Sequence, residues 1–246
     1  MKEVRYFYVP QAAERTELPD EEAQHALRVL RLTAGDEMVL NDGEGCFHEA
    51  VIAEATKKHC TYRITATRPQ RKAWRGHLHL ALAPTKNLDR TEWLVEKATE
   101  IGFDELSLLR CQFSERTVVK TERIDKILVS AMKQSRKALK PVLNDMTDFS
   151  VFIESVTQTN GGNRQVDKFI CHCYEEPSLG PKKLLREVLT PGRDALVMVG
   201  PEGDFSVEEV RRAEAAGFQS VSLGQARLRT ETAALVAVHL MNLANS

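Results

Sequence analysis

Leu196-Val197-Met198-Val199-Gly200-Pro201-Glu202-Gly203-Asp204-Phe205-Ser206-Val207-Glu208-Glu209 is the stretch on which the fold turns. Four consecutive apolar residues without polar alternation suit a strand buried on both faces, and such strands belong to parallel sheets covered by helices. Ser206, with Glu209 three residues later, makes a capping box that opens the next helix. Two glycines and a proline crowd the connection, more than a plain turn needs, and they let free backbone amides approach a bound molecule. In a parallel sheet this connection lies at the carboxyl end of its strand, where ligands bind.

The alternation continues in both directions. Upstream, strands are expected at 77–83, 105–109 and 169–174. Helices are expected at 89–101, closed by Gly102, at 122–139, stopped by Pro141, and at 182–189, with a polar gap around Gly161-Gly162. Downstream, a helix at 207–216 ends at Gly217, a strand covers 220–223, and a last helix starts near Thr230. The region 73–246 therefore reads as an α/β domain with a mostly parallel sheet covered on both faces. Residues 1–72 follow another grammar, with short strands at 6–9, 37–40, 46–52 and 61–67 and a turn at Asn41-Asp42-Gly43-Glu44-Gly45. One short helix, opened by Asp20 as N-cap, runs through Ala23, Leu27 and Leu30, and the whole suggests a small β-barrel.

Two further connections stand out. Ala83-Pro84-Thr85-Lys86-Asn87 matches neither the Gly-x-Gly-x-x-Gly of dinucleotide-binding folds nor a P-loop, which removes support from nicotinamide chemistry and phosphoryl transfer. Leu223-Gly224-Gln225-Ala226-Arg227-Leu228-Arg229-Thr230-Glu231-Thr232-Ala233 passes from a strand through two arginines into a helix. From Ala233 to Ala244 that helix is apolar except at His239 and Asn242, so it is expected to be buried in the core or against a second subunit.

Composition bounds the partners. With 42% hydrophobic and 28% charged residues over 246 positions, the chain builds real cores and has room for two modest domains. Met1-Lys2-Glu3-Val4-Arg5 lacks the apolar run of a signal peptide, and no later run reaches the roughly 18 residues of a membrane span, so a soluble cytoplasmic protein is expected. Cys46, Cys60, Cys111, Cys171 and Cys173 form no Cys-x-x-Cys pair and read as reduced thiols. Cys171-His172-Cys173, in an apolar run, reads as buried strand residues rather than metal ligands, and no metal is expected. The net charge of −1 offers no global attraction to nucleic acid. Its distribution does, because Ala55 to Leu88 contains no Asp or Glu while Lys57, Lys58, Arg63, Arg68, Arg71, Lys72, Arg75 and Lys86 are basic. A second acid-free block runs through Lys133, Arg136, Lys137 and Lys140, and local fields of this kind hold phosphates whatever the total charge.

Gly200-Pro201-Glu202-Gly203, followed by Leu223-Gly224 and by Leu228-Arg229-Thr230-Glu231-Thr232-Ala233, resembles the RsmE family. His25-Ala26-Leu27-Arg28-Val29-Leu30-Arg31, Glu96-Lys97-Ala98-Thr99-Glu100-Ile101-Gly102 and Gln134-Ser135-Arg136 resemble it too, in the right order along the chain. The resemblance implies a PUA-like domain over 1–72 and a SPOUT-type α/β catalytic domain over 73–246 with a C-terminal trefoil knot, a feature pattern reasoning does not propose because knots are nearly absent from proteins. It also implies a homodimer through the C-terminal domain and S-adenosylmethionine as methyl donor to N3 of a uridine in 16S ribosomal RNA, in a small-subunit particle.

On that footing, cofactor contacts are expected from Gly200, Pro201, Glu202, Gly203, Leu223, Gly224, Leu228 and Thr232, many through backbone groups. RNA contacts are expected from His25, Arg28 and Arg31, the arginines three apart on one helical face, and from Lys133, Arg136 and Lys137. Arg229 is expected to stabilise charge on the uracil oxygens, and Glu231 to accept the N3 proton or to hold Arg229. Two departures from the family pattern stand out: Asp204 replaces the last glycine of Gly-Pro-Glu-Gly-Gly, and Ala226-Arg227 replaces an arginine followed by an aliphatic residue. The competing readings are a non-catalytic RNA-binding or ribosome-assembly factor, and a SPOUT methyltransferase acting on tRNA.

Overall fold

The computed structural model describes residues 5–56, 59–158, 165–175 and 182–246. Lys57, Lys58, Gly161-Gly162 and the first four residues lie outside the described residues. The chain divides into two compact units, Met1–Lys72 with Val129–Lys140, and Ala73–Leu128 with Pro141–Ser246.

In the first unit β1 (Tyr6–Tyr8), β2 (Glu37–Asn41), β3 (Cys46–Ala55) and β4 (Cys60–Pro69) form a sheet in that order. β1 runs parallel to β2 and the other pairs are antiparallel. Alternate residues Met38 and Leu40, and Ala50 and Ile52, turn to one face and bury against Phe7, Val9, Ala23 and Ala26. Asp42 shapes the turn, its Oδ1 accepting from the backbone N–H of Glu44, Gly45 and Cys46 at 2.8, 3.0 and 2.9 Å. Helix α1 (Asp20–Gln24) starts one residue earlier than expected: Asp20 is its first residue and Pro19 precedes it without a side-chain cap. It passes into a π-helical turn at His25–Val29, and Arg31 beyond it has a φ of 54°. The α-helical spacing expected to align Arg28 with Arg31 is therefore not what the backbone adopts. Val129–Lys140, expected in the second domain, belongs to this unit. Asn41 Nδ2 donates to the Lys137 carbonyl at 2.6 Å, and Gln70 donates to the Arg136 carbonyl at 3.1 Å while accepting from Ala138 N at 2.6 Å. These side chains satisfy backbone groups of the irregular segment 136–138.

The second unit holds β5 (Leu78–Leu82), α2 (Leu88–Ile101), β6 (Glu105–Arg110), α3 (Thr121–Gln134, continuing past Leu128), β7 (Val142–Asp148) and α4 (Phe149–Gln158). It continues with β8 (Val166–Cys171), β9 (Lys183–Leu184), α5 (Leu185–Val188), β10 (Asp194–Val199), α6 (Val207–Ala215), β11 (Gln219–Ser222) and α7 (Thr230–Asn245). All its strand pairs are parallel, in the order β7-β6-β5-β10-β8-β11-β9. β10 shows why its sequence is uniformly apolar: Ala195, Val197 and Val199 pack into a core with α2 and α7, whereas Leu196 and Met198 pack into another with α4 and α6.

The differences from expectation have local causes. β7 is an edge strand with half-buried Asn144, Met146, Thr147 and Asp148, so no apolar run announces it. α4 carries a legible signal in Phe149, Phe152, Ile153 and Val156, spaced i, i+3, i+4, i+7, with the first three buried. The segment expected as a helix at 182–189 is a short strand followed by one helical turn. α3 stops at Gln134 instead of 139: Ser135 Oγ bonds back to the Ala131 carbonyl at 2.7 Å, and Arg136 takes a φ of 53°. Among the described residues no helix is long and apolar enough to cross a membrane, and no group of three or more His, Cys, Asp or Glu is arranged to hold a metal ion.

A polar cluster ties the amino ends of β5, β6 and β7 together. His77 Nε2 lies 2.7 Å from Glu105 Oε2, Asn144 Nδ2 donates to Glu105 Oε1 at 2.6 Å, and His79 Nε2 lies 2.8 Å from Ser107 Oγ. The hydrogen bond from His77 holds the Glu105 carboxyl down at about 2, and burial pushes the His79 imidazole down to about 4. Both groups bind protons more weakly folded than unfolded. The His79 contribution is whole above its ordinary value of 6.5 and disappears as pH falls to about 4; that of Glu105 is whole above 4.5 and disappears as pH falls to about 2. Urea midpoints are expected to drop steadily below pH 6.5, and His79→Gln to flatten the upper part of that curve. A wild-type midpoint constant down to pH 4 would contradict the assignment.

Candidate functional site

Three connections at the carboxyl ends of strands of the second unit line a cavity of about 900 Å³: Cys171–Glu175 at β8, Val199–Asp204 at β10, and Val221–Glu231 at β11. The volume is that of a small-molecule site, at the carboxyl edge of a parallel sheet as the sequence required.

The second connection is shaped by lack of room. A Cβ added to Gly203 would lie 3.0 Å from Phe113 Cβ, and one added to Gly200 would lie 3.0 Å from both Phe205 N and Phe205 Cδ2. Asp204 holds a φ of 69°, a left-handed conformation that aspartate enters more readily than most residues. Its N–H donates to the Pro201 carbonyl at 2.9 Å, closing the turn. Ser206 and Glu209 form the expected capping box, and Glu209 Oε1 also accepts from Gln112 N at 2.8 Å. Glu202 lines the cavity, yet its Oε1 accepts from Lys86 N at 2.9 Å, holding the connection after β5. Gly200, Pro201 and Gly203 stand on the wall.

In the third connection Leu223, Gly224 and Leu228 are on the wall, and Gly224 needs its glycine for a φ of 141° rather than for space. Thr232 is not on the wall; Thr230, buried at the start of α7, is. Arg229 lines the cavity with its side chain exposed, while its carbonyl accepts from Ala233 N at 2.8 Å. Glu231 is 8% exposed, with Oε2 buried and without a hydrogen-bond partner. Its Oε1 lies 4.0 Å from Arg90 Nε, so its cationic neighbour is Arg90 of α2 and not Arg229. Nothing in the local motifs pointed to Arg90, which reaches the cavity from a helix far upstream.

In the first connection Lys182 Nζ donates to the carbonyls of His172 and Tyr174 at 2.7 and 2.9 Å. His172 Nε2 lies 2.9 Å from Ser220 Oγ, and burial, then the Lys182 charge, pushes its imidazole below its ordinary value. Burial drives the Cys171 thiol up to about 12, which leaves it unreactive. Cys173, expected inside a strand, lies past the end of β8 and is exposed on the cavity.

The six residues expected to hold RNA, His25, Arg28, Arg31, Lys133, Arg136 and Lys137, all belong to the first unit despite their separation in sequence. His25, Arg28 and Arg31 are exposed. Arg136 lies over the Tyr6 ring at 5.7 Å, and Lys133 is engaged, its ammonium 2.5 Å from the Glu22 carboxylate.

The RNA methyltransferase domain family matches residues 72–242 and the RNA methyltransferase PUA domain family residues 18–65. A Ribosomal RNA small subunit methyltransferase E of Synechocystis is 32% identical over 221 residues, covering 87% of this chain and 68% of the relative. The chain belongs to the ribosomal RNA small subunit methyltransferase E family. A methyltransferase E of Bacillus subtilis is 25% identical over 89% of this chain and 86% of its own length. Among solved structures, a "probable rRNA-methyltransferase" of Porphyromonas gingivalis is 39% identical with a TM-score of 0.88, and the match covers 98% of both chains. A methyltransferase E of Neisseria gonorrhoeae bound to S-adenosyl methionine is 27% identical with a TM-score of 0.81, again over 98% of both chains. A PUA-like domain therefore precedes an α/β RNA methyltransferase domain built on a parallel sheet.

Proposed function

We propose that this member of the methyltransferase E family transfers a methyl group from S-adenosylmethionine to N3 of a uridine in 16S ribosomal RNA, on a small-subunit particle in the cytoplasm. The observation that carries the reading is the cavity enclosed by three strand-end connections, two of them glycine-bearing, beside a buried carboxylate with an open oxygen. The residues present fit the cofactor: Leu223, Leu228 and Val221 supply apolar wall, and Gly200 and Gly203 let the wall's backbone pack closely against Phe205 and Phe113 behind it.

When bound, S-adenosylmethionine supplies an electrophilic methyl on a sulfonium. Fixing the uracil in line with that methyl contributes on the order of 7 to 11 kcal/mol. Uridine N3 carries a proton, and Glu231, with Oε2 free to accept, takes it up. Arg229, exposed at the cavity, balances the negative charge on the uracil oxygens. The open oxygen and the 4.0 Å approach to Arg90 favour proton acceptance by Glu231 over a role in holding Arg229.

RNA is held by His25, Arg28, Arg31, Arg136 and Lys137 of the first unit, with Lys133 secured by Glu22. A division of labour between 1–72 and 73–246 follows, with 129–140 serving the former. A homodimer through the C-terminal domain would cover Trp93 of α2 and Leu243 of α7, which are 46% and 62% exposed. The trefoil knot is supported by the sheet order, since α7 leaves from β11, beyond β8, and packs back on β5 and β10.

Nucleoside mass spectrometry of 16S ribosomal RNA from a strain lacking the gene tests the reading. 3-Methyluridine is expected to vanish and to return with the wild-type gene. An unchanged level, or calorimetry showing no binding of S-adenosylmethionine to the purified protein, would overturn it.

A further inference from the structure

Two side chains cross between the first and second cavity connections in opposite directions. Asp204 Oδ2 accepts from Cys173 N at 2.7 Å, and Tyr174 Oη donates to the Phe205 carbonyl at 2.6 Å. Residue 204 thus holds the backbone at 173 while residue 174 holds the backbone at 205. Asp204 Oδ1 also accepts from Phe205 N at 2.8 Å, which orients the carboxylate for the crossing bond. Lys182, by contrast, ties carbonyls within the first loop.

We infer that Asp204 and Tyr174 form a reciprocal clasp that makes the two connections one rigid wall and thereby sets this chain's affinity for the methyl donor. The inference rests on the proposed cofactor site. It explains why a residue with a side chain occupies a left-handed position that glycine would fill more easily: the carboxylate does work that glycine cannot. Asp204 and Tyr174 are positioning residues, acting on affinity by preorganising the loops rather than by touching the reacting atoms.

The two effects of Asp204→Gly oppose each other. Glycine relaxes the φ of 69° but forfeits the bonds to Cys173 N and Phe205 N, so the melting temperature of the cofactor-free protein should shift little. Loss of a charge-assisted hydrogen bond should nevertheless weaken S-adenosylmethionine binding about tenfold, and raise its KM more than kcat falls. Asp204→Asn tolerates the same backbone and keeps one acceptor oxygen, so it should recover part of the affinity. Tyr174→Phe should weaken binding in the same direction, and the double variant Asp204→Gly/Tyr174→Phe should lose less than the product of the single losses, since either change releases the same loop.

Calorimetry with S-adenosylmethionine on the full chain, beside cofactor-free melting curves, reads all of these. Binding by Asp204→Gly within twofold of wild type, or strictly multiplicative losses in the double variant, would overturn the clasp. Failure of the wild-type chain to bind S-adenosylmethionine would instead remove the proposed function beneath it.

Discussion

Glu231→Gln is expected to lower kcat by a factor of about 10² to 10⁴ while S-adenosylmethionine binds with nearly wild-type affinity. Glutamine keeps the shape and a hydrogen-bonding oxygen, so the change isolates the loss of a proton acceptor. The carboxylate is 8% exposed, and one of its oxygens has no hydrogen-bond partner. Leaving a buried carboxylate oxygen unpaired costs free energy, and such a cost is tolerated where a substrate group completes the site. Single-turnover rates with bound RNA measure the effect, and turnover within threefold of wild type would take Glu231 out of the chemistry. Arg229→Ala in the same assay separates charge balance on the uracil from proton removal. Arg90→Ala asks whether the cation 4.0 Å from Glu231 matters to its placement.

Gly102→Ala should cost about 3 kcal/mol of stability, combining an overpacked core with an unfavourable backbone angle. The residue closes α2 with a φ of 118°, and an added Cβ would lie 2.4 Å from Trp74 Cζ3 and 2.8 Å from Cη2. The indole has no easy escape. Trp74 is buried, and its Nε1 donates to Asp104 Oδ2 at 2.9 Å, an oxygen that also accepts from Leu78 N at 2.7 Å. Displacing the ring therefore disturbs the start of β5. For a chain of this size the thermal midpoint should fall by roughly 6 to 12 °C. A fall of less than about 3 °C would show that the ring moves aside freely.

Much of the methyltransferase domain was legible because its signals are local. An apolar run in β10, a capping box at Ser206, the positive φ of Gly102 and Gly224 and the Phe205 packed on Gly200 each reflect constraints that act within a few residues. The family likeness in the loops ending at Gly203 and Glu231 then drew attention to two walls of the cavity. Other elements were illegible for equally physical reasons. β7 lies at a sheet edge and needs no apolar alternation, so its sequence carried no strand signal. The π-helical turn at His25–Val29 replaced a regular helix, which removed the periodicity used to align Arg28 with Arg31. Lys133 looked available for phosphate, but Glu22, distant in sequence, engages it. Thr232 shared a motif with Glu231, yet the start of α7 puts Thr230 on the cavity instead.

The amino-acid sequence by itself determined the alternating strands and helices, the ligand-binding edge of the sheet, and the candidate residues from Gly200 to Gly203 and from Leu223 to Glu231. Burial periodicity and turn chemistry are written in short stretches of chain, and they survive in any arrangement of the elements. The tertiary structure alone decided that Arg90 faces Glu231, that Asp204 and Tyr174 grip each other's loops, and that 129–140 joins the first unit. The first two pairings depend on the order β5-β10-β8-β11, which brings together side chains whose own neighbourhoods carry no record of the partner.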